Sequence, residues 1–369
     1  MKYHYFVIAF ALFFGFLAYV LTRGWQALPV NTRMIFLQLF GGLFVLLMTG
    51  LFFENAMWFS LSRFVTFTGY TFLIAVSYLF FSFIIVDIIR LLNSFLHFAP
   101  AGMHTFRLWA MLGSLGIISV ALVAGNYKFN HPSVVTLNLT VDKPLQHKKI
   151  KIVAASDIHL GNAIDNNMLK KYVKMINEQK PDIVLLLGDI TDRSASPLSE
   201  QNMKFALQEI HAPKGIFAIR GNHEYYSGRA EEIAGYLRSS GIKVLLDSTC
   251  LVDNSLYIVG RDDRTNTKRK PLSELVQGLD KNIPTILLDH QPFKLEEAEK
   301  NGIDLQLSGH THNGQFFPAN LYVKSMFELG YGYLRKGKTQ YYVSSGLGLW
   351  GPKYRIGTQS ELVVINLAY

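Results

Sequence analysis

Cysteine is almost absent from this chain: Cys250 is the only one in 369 residues. A single cysteine excludes an internal disulfide and a metal site built from several thiolates, although it does not identify the cellular compartment. Dense basic helices and the aromatic-basic motifs of RNA-binding domains are also missing, so the net charge of +9 does not indicate a nucleic-acid partner. The sequence has no internal repeat and no low-complexity tract.

Charged residues are scarce before about residue 127, whereas the remainder resembles an ordinary globular domain. The whole chain is 50% hydrophobic and 13% aromatic, which is too apolar for a soluble protein of this length. The first region has six basic and two acidic residues, so it accounts for +4 of the net +9 and leaves +5 on the remainder. We therefore expect lipid around the first region, and an anionic membrane surface or a phosphorylated substrate as partner of the second.

Four apolar stretches in the first region are long enough to cross a bilayer, which requires about 20 residues. The predicted transmembrane region, 1–127, has spans at about 3–22, 34–53, 64–89 and 108–125. A cleaved signal peptide is disfavoured for the first stretch, because its apolar run is long and no small-residue cleavage site follows it. Asp87 lies near the end of the third stretch with Arg90 three residues later, so an ion pair is favoured over a role in transport.

The charges of the short loops predict the side of the membrane on which the remainder lies. Four arginines lie in the loops after the first and third spans, against two basic residues on the other side: Arg23, Arg33, Arg90 and Arg107 against Lys2 and Arg63. The positive-inside rule then predicts a multi-pass protein of the plasma (inner) membrane with its globular domain outside the cytoplasm. Counting Lys128 and the basic segment 143–151 would reverse this result, and that segment equally suits anionic head groups.

A basic linker and leading strand, 128–148, precede a domain over 149–369 in which β-rich runs alternate with helical patterns. Strands are predicted at 149–156, 182–188, 215–221, 243–248, 255–260, 285–289, 304–309, 340–346 and 361–367. Amphipathic helices are predicted at 166–179, 199–210, 229–240, 272–279 and 294–301. This alternation predicts an α/β fold with helix-covered sheets and active-site loops at the carboxyl ends of the strands.

Five of the predicted strands end in side chains typical of metal and phosphate sites. In chain order the groups are Asp157 and His159; Asp189, Asp192 and Arg193; Asn222, His223 and Glu224; His290; and His310 with His312. Residues two apart on an extended chain point the same way, so each Asp-x-His or His-x-His pair can converge on one place. Any one group is also typical of turns, but five of them, each placed where a strand ends, predict a metal site.

The motifs D-x-H, G-D-x-x-D-R, G-N-H-E, H and G-H-T-H, in this order, resemble the calcineurin-like metallophosphoesterase superfamily. The segments GHTHNGQ and SSGLGLWG are similar to those of its membrane-associated bacterial branch. The resemblance covers roughly 149–367 and leaves the four spans outside. It implies a four-layer αββα sandwich, two mixed sheets flanked by helices, which here follows an α-helical transmembrane region.

The resemblance further implies two divalent metal ions in a shared site. The first would be bound by Asp157, His159 and His312, the second by Asn222, His290 and His310, and Asp189 would bridge them. Two divalent ions bring a charge of +4 against −2 from two carboxylates, so the neutral Asn222 leaves positive charge to attract a phosphate. Oxygen and nitrogen ligands allow Mn, Fe, Zn or Co, of which we expect Mn.

The resemblance also assigns residues to the substrate. His223 would protonate the leaving oxygen or stabilise phosphoryl charge, with Asp192 orienting its ring. Arg193 would contact a phosphate through two hydrogen bonds, unless it forms only a surface salt bridge. Glu224 is a further substrate-binding candidate that would otherwise only support its turn.

Basic and aromatic segments surround the predicted site at 260–270, 316–338 and 346–355. Within them, Arg261 and Trp350 are candidates for substrate binding. The aromatic residues suit either a hydrophobic core or a lipid-facing mouth in which Lys and Arg bind a phosphate head group.

These observations predict a membrane-anchored dinuclear-metal phosphoesterase. It would hydrolyse a phosphomonoester, phosphodiester or diphosphate by in-line attack of a metal-bridging hydroxide, on a lipid or lipid-linked substrate. An alternative within the superfamily is a pyrophosphatase acting on UDP-linked diacylglucosamine in lipid A synthesis, whose cytoplasmic location conflicts with the predicted topology. A catalytically silent binding or sensory protein, or a transporter with an enzymatic appendage, are alternatives of other classes.

Overall fold

The computed structural model of the protein describes residues 2–98, 104–145, 148–192 and 196–369. The chain divides into two compact units, Met1–Ala124 and Gly125–Tyr369. The first unit is helical, and the second contains all twelve strands that the structure describes.

Long apolar runs produce the helices of the first unit. They are α1 (Lys2–Ala27), α2 (Arg33–Phe53), α3 (Phe59–Leu96) and α4 (His104–Asn130). Three candidate membrane spans are found among the described residues, at Val30–Phe53, Phe59–Leu96 and Thr105–Asn130. The predicted count of four exceeds this number by one, and the first predicted span, which falls on α1, stays a prediction.

Small residues bring α2 and α3 close together. A Cβ added to Gly69 would lie 2.6 Å from the Cα of Leu47, so the two backbones are in direct contact there. Small residues at helix contacts of this kind are typical of helices that pack in lipid.

Asp87 on α3 is surrounded by donors within the first unit. Arg23 and Arg90 place guanidinium nitrogens 2.6 and 2.9 Å from its carboxylate oxygens. The Tyr19 hydroxyl donates to the same carboxylate at 2.8 Å. The expected pairing of Asp87 with Arg90 is therefore present, and Arg23 adds a second cation.

The second unit is built from two six-stranded sheets. Its strands are β1 (Ser133–Thr140), β2 (Lys149–Ala155), β3 (Ile183–Leu186), β4 (Ile216–Ala218), β5 (Lys243–Val244), β6 (Ser248–Val252), β7 (Leu256–Gly260), β8 (Thr285–Leu288), β9 (Leu305–Ser308), β10 (Gly332–Lys336), β11 (Thr339–Val343) and β12 (Glu361–Ala368). The first sheet has the order β1-β12-β2-β3-β4-β5 and the second β10-β11-β9-β8-β7-β6. Both are mixed: the centre of each is parallel, and antiparallel pairs join β12 to β2, β6 to β7 and β10 to β11.

The second unit also contains α5 (Asn166–Glu178), α6 (Ser196–Glu200), α7 (Met203–Gln208), α8 (Asn222–Tyr226), α9 (Ala230–Ser239), α10 (Leu272–Leu275), α11 (Glu296–Lys300) and α12 (Ala319–Met326). All of these except α8 and α12 pack against the outer face of one of the two sheets. The side chain of Asp165 caps α5 by accepting a hydrogen bond from the backbone N–H of Met168 at 3.0 Å. The apolar residues of α5 recur at helical spacing, so one face of it is buried.

Successive side chains of a strand point to opposite faces of its sheet, and this alternation separates the core between the sheets from the cores under the helices. Ile150, Ile152 and Ala154 of β2 pack into the core between the sheets, whereas Val153 and Ala155 pack into the core under α5, α7 and α9. A third core lies between the second sheet and α10 and α11. The predicted four-layer αββα class is therefore confirmed.

Several predicted boundaries differ from the structure. The helix expected at 199–210 is two short helices, because Asn202 between them adopts a positive φ of 53°. The helix expected at 272–279 ends at Leu275, ahead of a turn at Gly278, where φ is 82°. Strands β6 and β10 and helices α8 and α12 were not among the predicted elements.

The last turn of α4 belongs to the second unit and is hydrogen-bonded within it. The carbonyl of Gly125 accepts from the backbone N–H of Arg355 at 2.9 Å. The Asn126 side chain donates to the carbonyl of Lys353 at 2.9 Å. Gln359 donates to the carbonyl of His131 at 2.9 Å. Segment 353–359 is thus fixed to the end of α4.

Candidate metal centre

The predicted ligands lie at one edge of the second unit. Parallel strands β2, β3 and β4 of the first sheet, and β8 and β9 of the second, each lead within a few residues to one of them. Since parallel strands end together, residues far apart in the chain meet there. The structure places seven residues at this edge: Asp157, His159, Asp189, Asn222, His290, His310 and His312.

Asp157, His159 and His312 form one group of potential ligands, with one ligand atom from each within 4.8 Å of the others. The Nε2 atom of His312 lies 3.4 Å from Oδ1 of Asp157. The Nε2 atoms of His159 and His312 are 3.2 Å apart. Two neutral imidazoles in this arrangement can direct two nitrogens and a carboxylate oxygen at one cation.

Asp189, His290 and His310 form a second group of the same size. Nε2 of His290 lies 3.1 Å from Oδ2 of Asp189. Nδ1 of His290 is 2.7 Å from the carbonyl oxygen of Leu187, to which it donates. This backbone contact fixes the tautomer and leaves Nε2 as the nitrogen with a lone pair, as in many metal sites.

Asp189 lies between the two groups. Its Oδ2 atom is 3.1 Å from Nε2 of His290 in the second group and 3.8 Å from Nε2 of His159 in the first. A single carboxylate therefore faces ligands of both groups, which is the position expected for a bridging ligand.

Two proposed ligand atoms at this edge, Oδ1 of Asn222 and Nε2 of His290, are buried and have no hydrogen-bond partner among the described residues. Nδ1 of His159 and Nδ1 of His312, the ring nitrogens other than those that face Asp157, are also buried without a partner there. An unsatisfied buried polar atom costs about 1–3 kcal/mol, so the Asn222 and His290 atoms require a compensating partner. Divalent cations satisfy such oxygens and nitrogens, and the residues present therefore fit the metal ions that the fold family implies.

The backbone is strained at the same place. Five residues of the seven have a positive φ: Asp157 at 53°, His159 at 53°, Asp189 at 48°, His310 at 72° and His312 at 49°. Left-handed conformations of residues other than glycine cost about 1–3 kcal/mol each and cluster at functional sites. The surrounding contacts hold these conformations: the Asp157 carboxylate, for example, accepts from the backbone N–H of His310 at 3.1 Å.

Two glycines are required by close packing around the carboxylates. A Cβ on Gly221 would lie 2.1 Å from Oδ1 of Asp189, and one on Gly309 would lie 2.3 Å from Oδ2 of Asp157. No other residue type fits at either place without moving a ligand.

The titration of the histidines favours neutral imidazole in the first group. Burial lowers the pKa of His159 and His312, and it lowers the pKa of His310 to about 4. Burial also lowers the pKa of His290, but the neighbouring Asp189 carboxylate outweighs this effect and raises it. Burial raises the pKa of Asp157, yet the surrounding histidines hold it below its usual value, so the carboxylate stays ionised.

His223 and Asp192 form a pair beside the first group. Nδ1 of His223 is 3.2 Å from Oδ1 of Asp192, and its ring centroid is 4.5 Å from that of His159. The backbone N–H of His223 donates to Oδ1 of Asp189 at 2.9 Å. Burial opposes protonation, but the hydrogen bond with Asp192 raises the pKa of His223 and favours a ring that can donate a proton.

Glu224 and Arg261 have structural partners. The Glu224 carboxylate is buried and accepts from the backbone N–H groups of Gly221, Asp189 and Thr191 at 2.7 to 3.1 Å. Arg261 is buried and its guanidinium contacts the carboxylates of Asp289 and Glu297 at 3.1 and 2.8 Å. Both side chains are buried and bonded to groups within the domain, which supports a structural role for each, and their assignment to the substrate stays a prediction.

Of the two remaining predicted residues, the structure describes only Trp350. Arg193 lies outside the described residues. Trp350 is 42% exposed, and its ring centroid is 6.1 Å from that of His223. Part of the Trp350 side chain is therefore exposed to solvent next to the His223–Asp192 pair.

Arg355 supports the site and was not predicted. It is fully buried, and its guanidinium donates to the carbonyls of His312 at 3.0 Å, Gly346 at 3.1 Å and Gly348 at 2.5 Å. The sequence signal was an arginine at the end of the glycine-rich segment 346–355, but the carbonyls that it contacts are known only from the fold.

Comparisons with known proteins agree with this geometry. The sequence model of the calcineurin-like phosphoesterase family matches residues 150–314 of this chain. A metallophosphoesterase of Campylobacter jejuni is 34% identical over 261 residues, which are 69% of this chain and 68% of that protein. One of Aquifex aeolicus is 34% identical over 227 residues, 59% of this chain and 85% of that protein.

The name of one eukaryotic relative mentions both a transmembrane part and a metallophosphoesterase domain. It is the transmembrane protein with metallophosphoesterase domain of Danio rerio, 32% identical over 274 residues. The match covers 70% of this chain and 60% of that protein, so about two fifths of the relative has no counterpart in the alignment.

Proposed function

This chain belongs to the calcineurin-like metallophosphoesterase family, and on that premise we propose that it is a membrane-anchored phosphoesterase with a dinuclear metal centre. The main support is the position of Asp189, whose carboxylate lies within 4 Å of ligand nitrogens of both groups. When bound, two divalent ions would supply positive charge for the phosphoryl oxygens and lower the pKa of a water nucleophile.

The chain's own residues would divide the work as follows. Asp157, His159 and His312 would hold one ion, and Asn222, His290 and His310 the other, with Asp189 shared. His223, held by Asp192 at 3.2 Å, would donate its proton to the leaving oxygen, because the hydrogen bond with Asp192 raises its pKa and favours the protonated ring. Trp350 would form one wall of the substrate approach, and Arg193 would contact the phosphate.

We propose a lipid or lipid-linked phosphoester as the substrate. Candidate membrane spans precede the proposed metal-binding domain in the same chain and would confine that domain to a membrane surface. A phosphomonoester, a phosphodiester and a lipid-linked diphosphate of the UDP-diacylglucosamine type all offer the phosphoryl group that such a centre can attack.

The experiment is a joint measurement of metal content and phosphate release on the purified full-length protein in detergent. The panel contains a soluble phosphodiester and the three lipid classes above, each assayed with Mn. Hydrolysis of a lipid class with about two metal ions per chain is the expected result. Cleavage of the soluble ester alone would remove the lipid substrate, whereas bound metal with no hydrolysis would favour the silent binding or sensory protein.

We also propose that the protein lies in a bacterial inner membrane and that its metal-binding domain is on the side away from the cytoplasm. An alkaline phosphatase fused after Tyr369, which is exposed, would be active only on that side. An inactive fusion that is expressed at the normal level would reverse the orientation and return the cytoplasmic lipid A pyrophosphatase to consideration.

A further inference from the structure

Helix α12 is a surface helix with apolar residues on its outside. None of its eight residues is buried, and Leu321, Tyr322 and Met326 are 56%, 64% and 49% exposed. Phe317, two residues before the helix, is 51% exposed. We call these four side chains the α12 face. Contiguous apolar surface of this kind marks a site of protein or membrane contact.

Contacts at both ends fix α12 beside the metal centre. At its start, a Cβ on Gly314, two residues after His312, would lie 2.3 Å from the backbone nitrogen of Asn320. At its end, the ring centroid of Phe327 is 6.3 Å from that of His310. The α12 face is therefore adjacent to ligands of both metal groups.

The same segment is hydrogen-bonded to the end of the last candidate span. Phe317 donates its backbone N–H to the carbonyl of Ile356 at 2.7 Å, and the neighbouring Arg355 donates to the carbonyl of Gly125 at 2.9 Å. Gly125 lies in α4, which contains the candidate span Thr105–Asn130. Two backbone hydrogen bonds thus connect the base of the α12 face to the helix that contains this candidate span.

We propose that the α12 face inserts into the interfacial layer of the bilayer and there takes up the acyl part of a lipid phosphoester. A bilayer is favoured over a protein partner because the hydrogen bonds at the base of this surface connect it to the helix that contains a candidate membrane span. The composition also suits an interface: Tyr322 has a polar hydroxyl on an apolar ring, and the exposed Lys324 can reach anionic head groups. The insertion into the bilayer does not depend on the proposed function, whereas the uptake of a lipid substrate by the α12 face rests on it.

The first test measures where the α12 face lies. In a Cys250→Ser background of the full chain, single cysteines replace Leu321 or Met326, and Phe205 on α7, which is 66% exposed, serves as the matched control. Each is spin-labelled in proteoliposomes of phosphatidylcholine with phosphatidylglycerol. We expect the ratio of oxygen to nickel-chelate accessibility at both α12 positions to be about threefold or more above the control, because oxygen concentrates in lipid. Equal ratios would overturn the insertion.

The second test measures the use of the surface. In Leu321→Gln/Met326→Gln we expect the ratio of lipid to soluble phosphoester turnover to fall about tenfold, and in Phe205→Gln to stay unchanged. An unchanged ratio in the double variant would overturn the role in substrate uptake. If the parent hydrolyses neither substrate, the proposed function fails, and the spin labels still decide on the insertion.

Discussion

Two edges of the second unit differ in how their polar groups are satisfied. At the amino ends of β8, β9 and β11 lies a cleft of about 870 Å³. Lys143 in this cleft lies 2.6 Å from Asp304, whose carboxylate also accepts from the backbone N–H of Thr285 at 2.8 Å. The opposite, carboxyl edge holds buried polar atoms that have no hydrogen-bond partner among the described residues, and five left-handed residues. Unsatisfied atoms and strained backbone mark the carboxyl edge as the candidate site.

Asp189→Asn should show the largest effect. The substitution removes the carboxylate that faces both ligand groups, so we expect phosphoester turnover to fall about 10³-fold or more and bound metal to decrease. Turnover and metal content by mass spectrometry are measured on the same preparation. Asp280→Asn at the lysine-lined cleft is the control and should change neither quantity; turnover within tenfold of the parent in Asp189→Asn would contradict the bridging role.

His223→Gln should have the second largest effect. It removes the proton donor but none of the proposed ligands, so turnover should fall about 10²-fold or more while metal content stays at the parental level. The split between these two measurements separates a proton donor from a ligand. His211, which is exposed, supplies the matched control His211→Gln. Loss of metal together with turnover would place His223 among the ligands instead.

Arg355→Lys should have an intermediate effect. The single ammonium group of lysine cannot replace the two guanidinium nitrogens that contact the carbonyls of His312, Gly346 and Gly348, so we expect metal affinity to fall about tenfold, the size typical of a lost supporting contact. Titration of the metal-free protein measures this affinity. The exposed Arg335 on β10 provides the control Arg335→Lys, and an equal affinity in both variants would show that Arg355 does not position His312.

Lys143→Met should have the smallest effect. It breaks the ion pair with Asp304 at the opposite edge, where the side chains are partly solvated, so the free energy of unfolding should decrease by about 1 kcal/mol or less. Turnover should not change. A fall in turnover comparable to that of Arg355→Lys would mean that the two edges are coupled and that the contrast between them is too simple.

The strands, and the positions of the proposed ligands at the ends of the strands, could be predicted from the sequence because both depend on local order. An apolar run makes a strand, and a ligand directly after it must lie at the strand's carboxyl end, as Asp189 does after β3. Asp157 and His159 follow β2 in the same way. Periodicity also predicted α5, whose buried residues recur at helical spacing.

The remaining features depend on contacts between distant residues. Arg355 acts on His312, 43 positions away, and no local pattern identifies that partner. The segment 316–338 contains α12, with its exposed apolar residues, and β10, which forms a hairpin with β11. Its aromatic residues suited a core or a surface equally well, and only the solvent exposure of Leu321 and Tyr322 distinguishes the two.

The hydrogen bond from Arg355 to Gly125 has a practical consequence for the design of truncated versions of the protein. A truncated version that begins at β1 would leave the backbone N–H of Arg355 and the amide of Gln359 without their acceptors on α4. The same arginine holds His312, so the damage would reach the ligand cluster. A water-soluble fragment that retains full metal affinity should therefore start before Gly125, inside the hydrophobic helix that such a truncation is meant to discard.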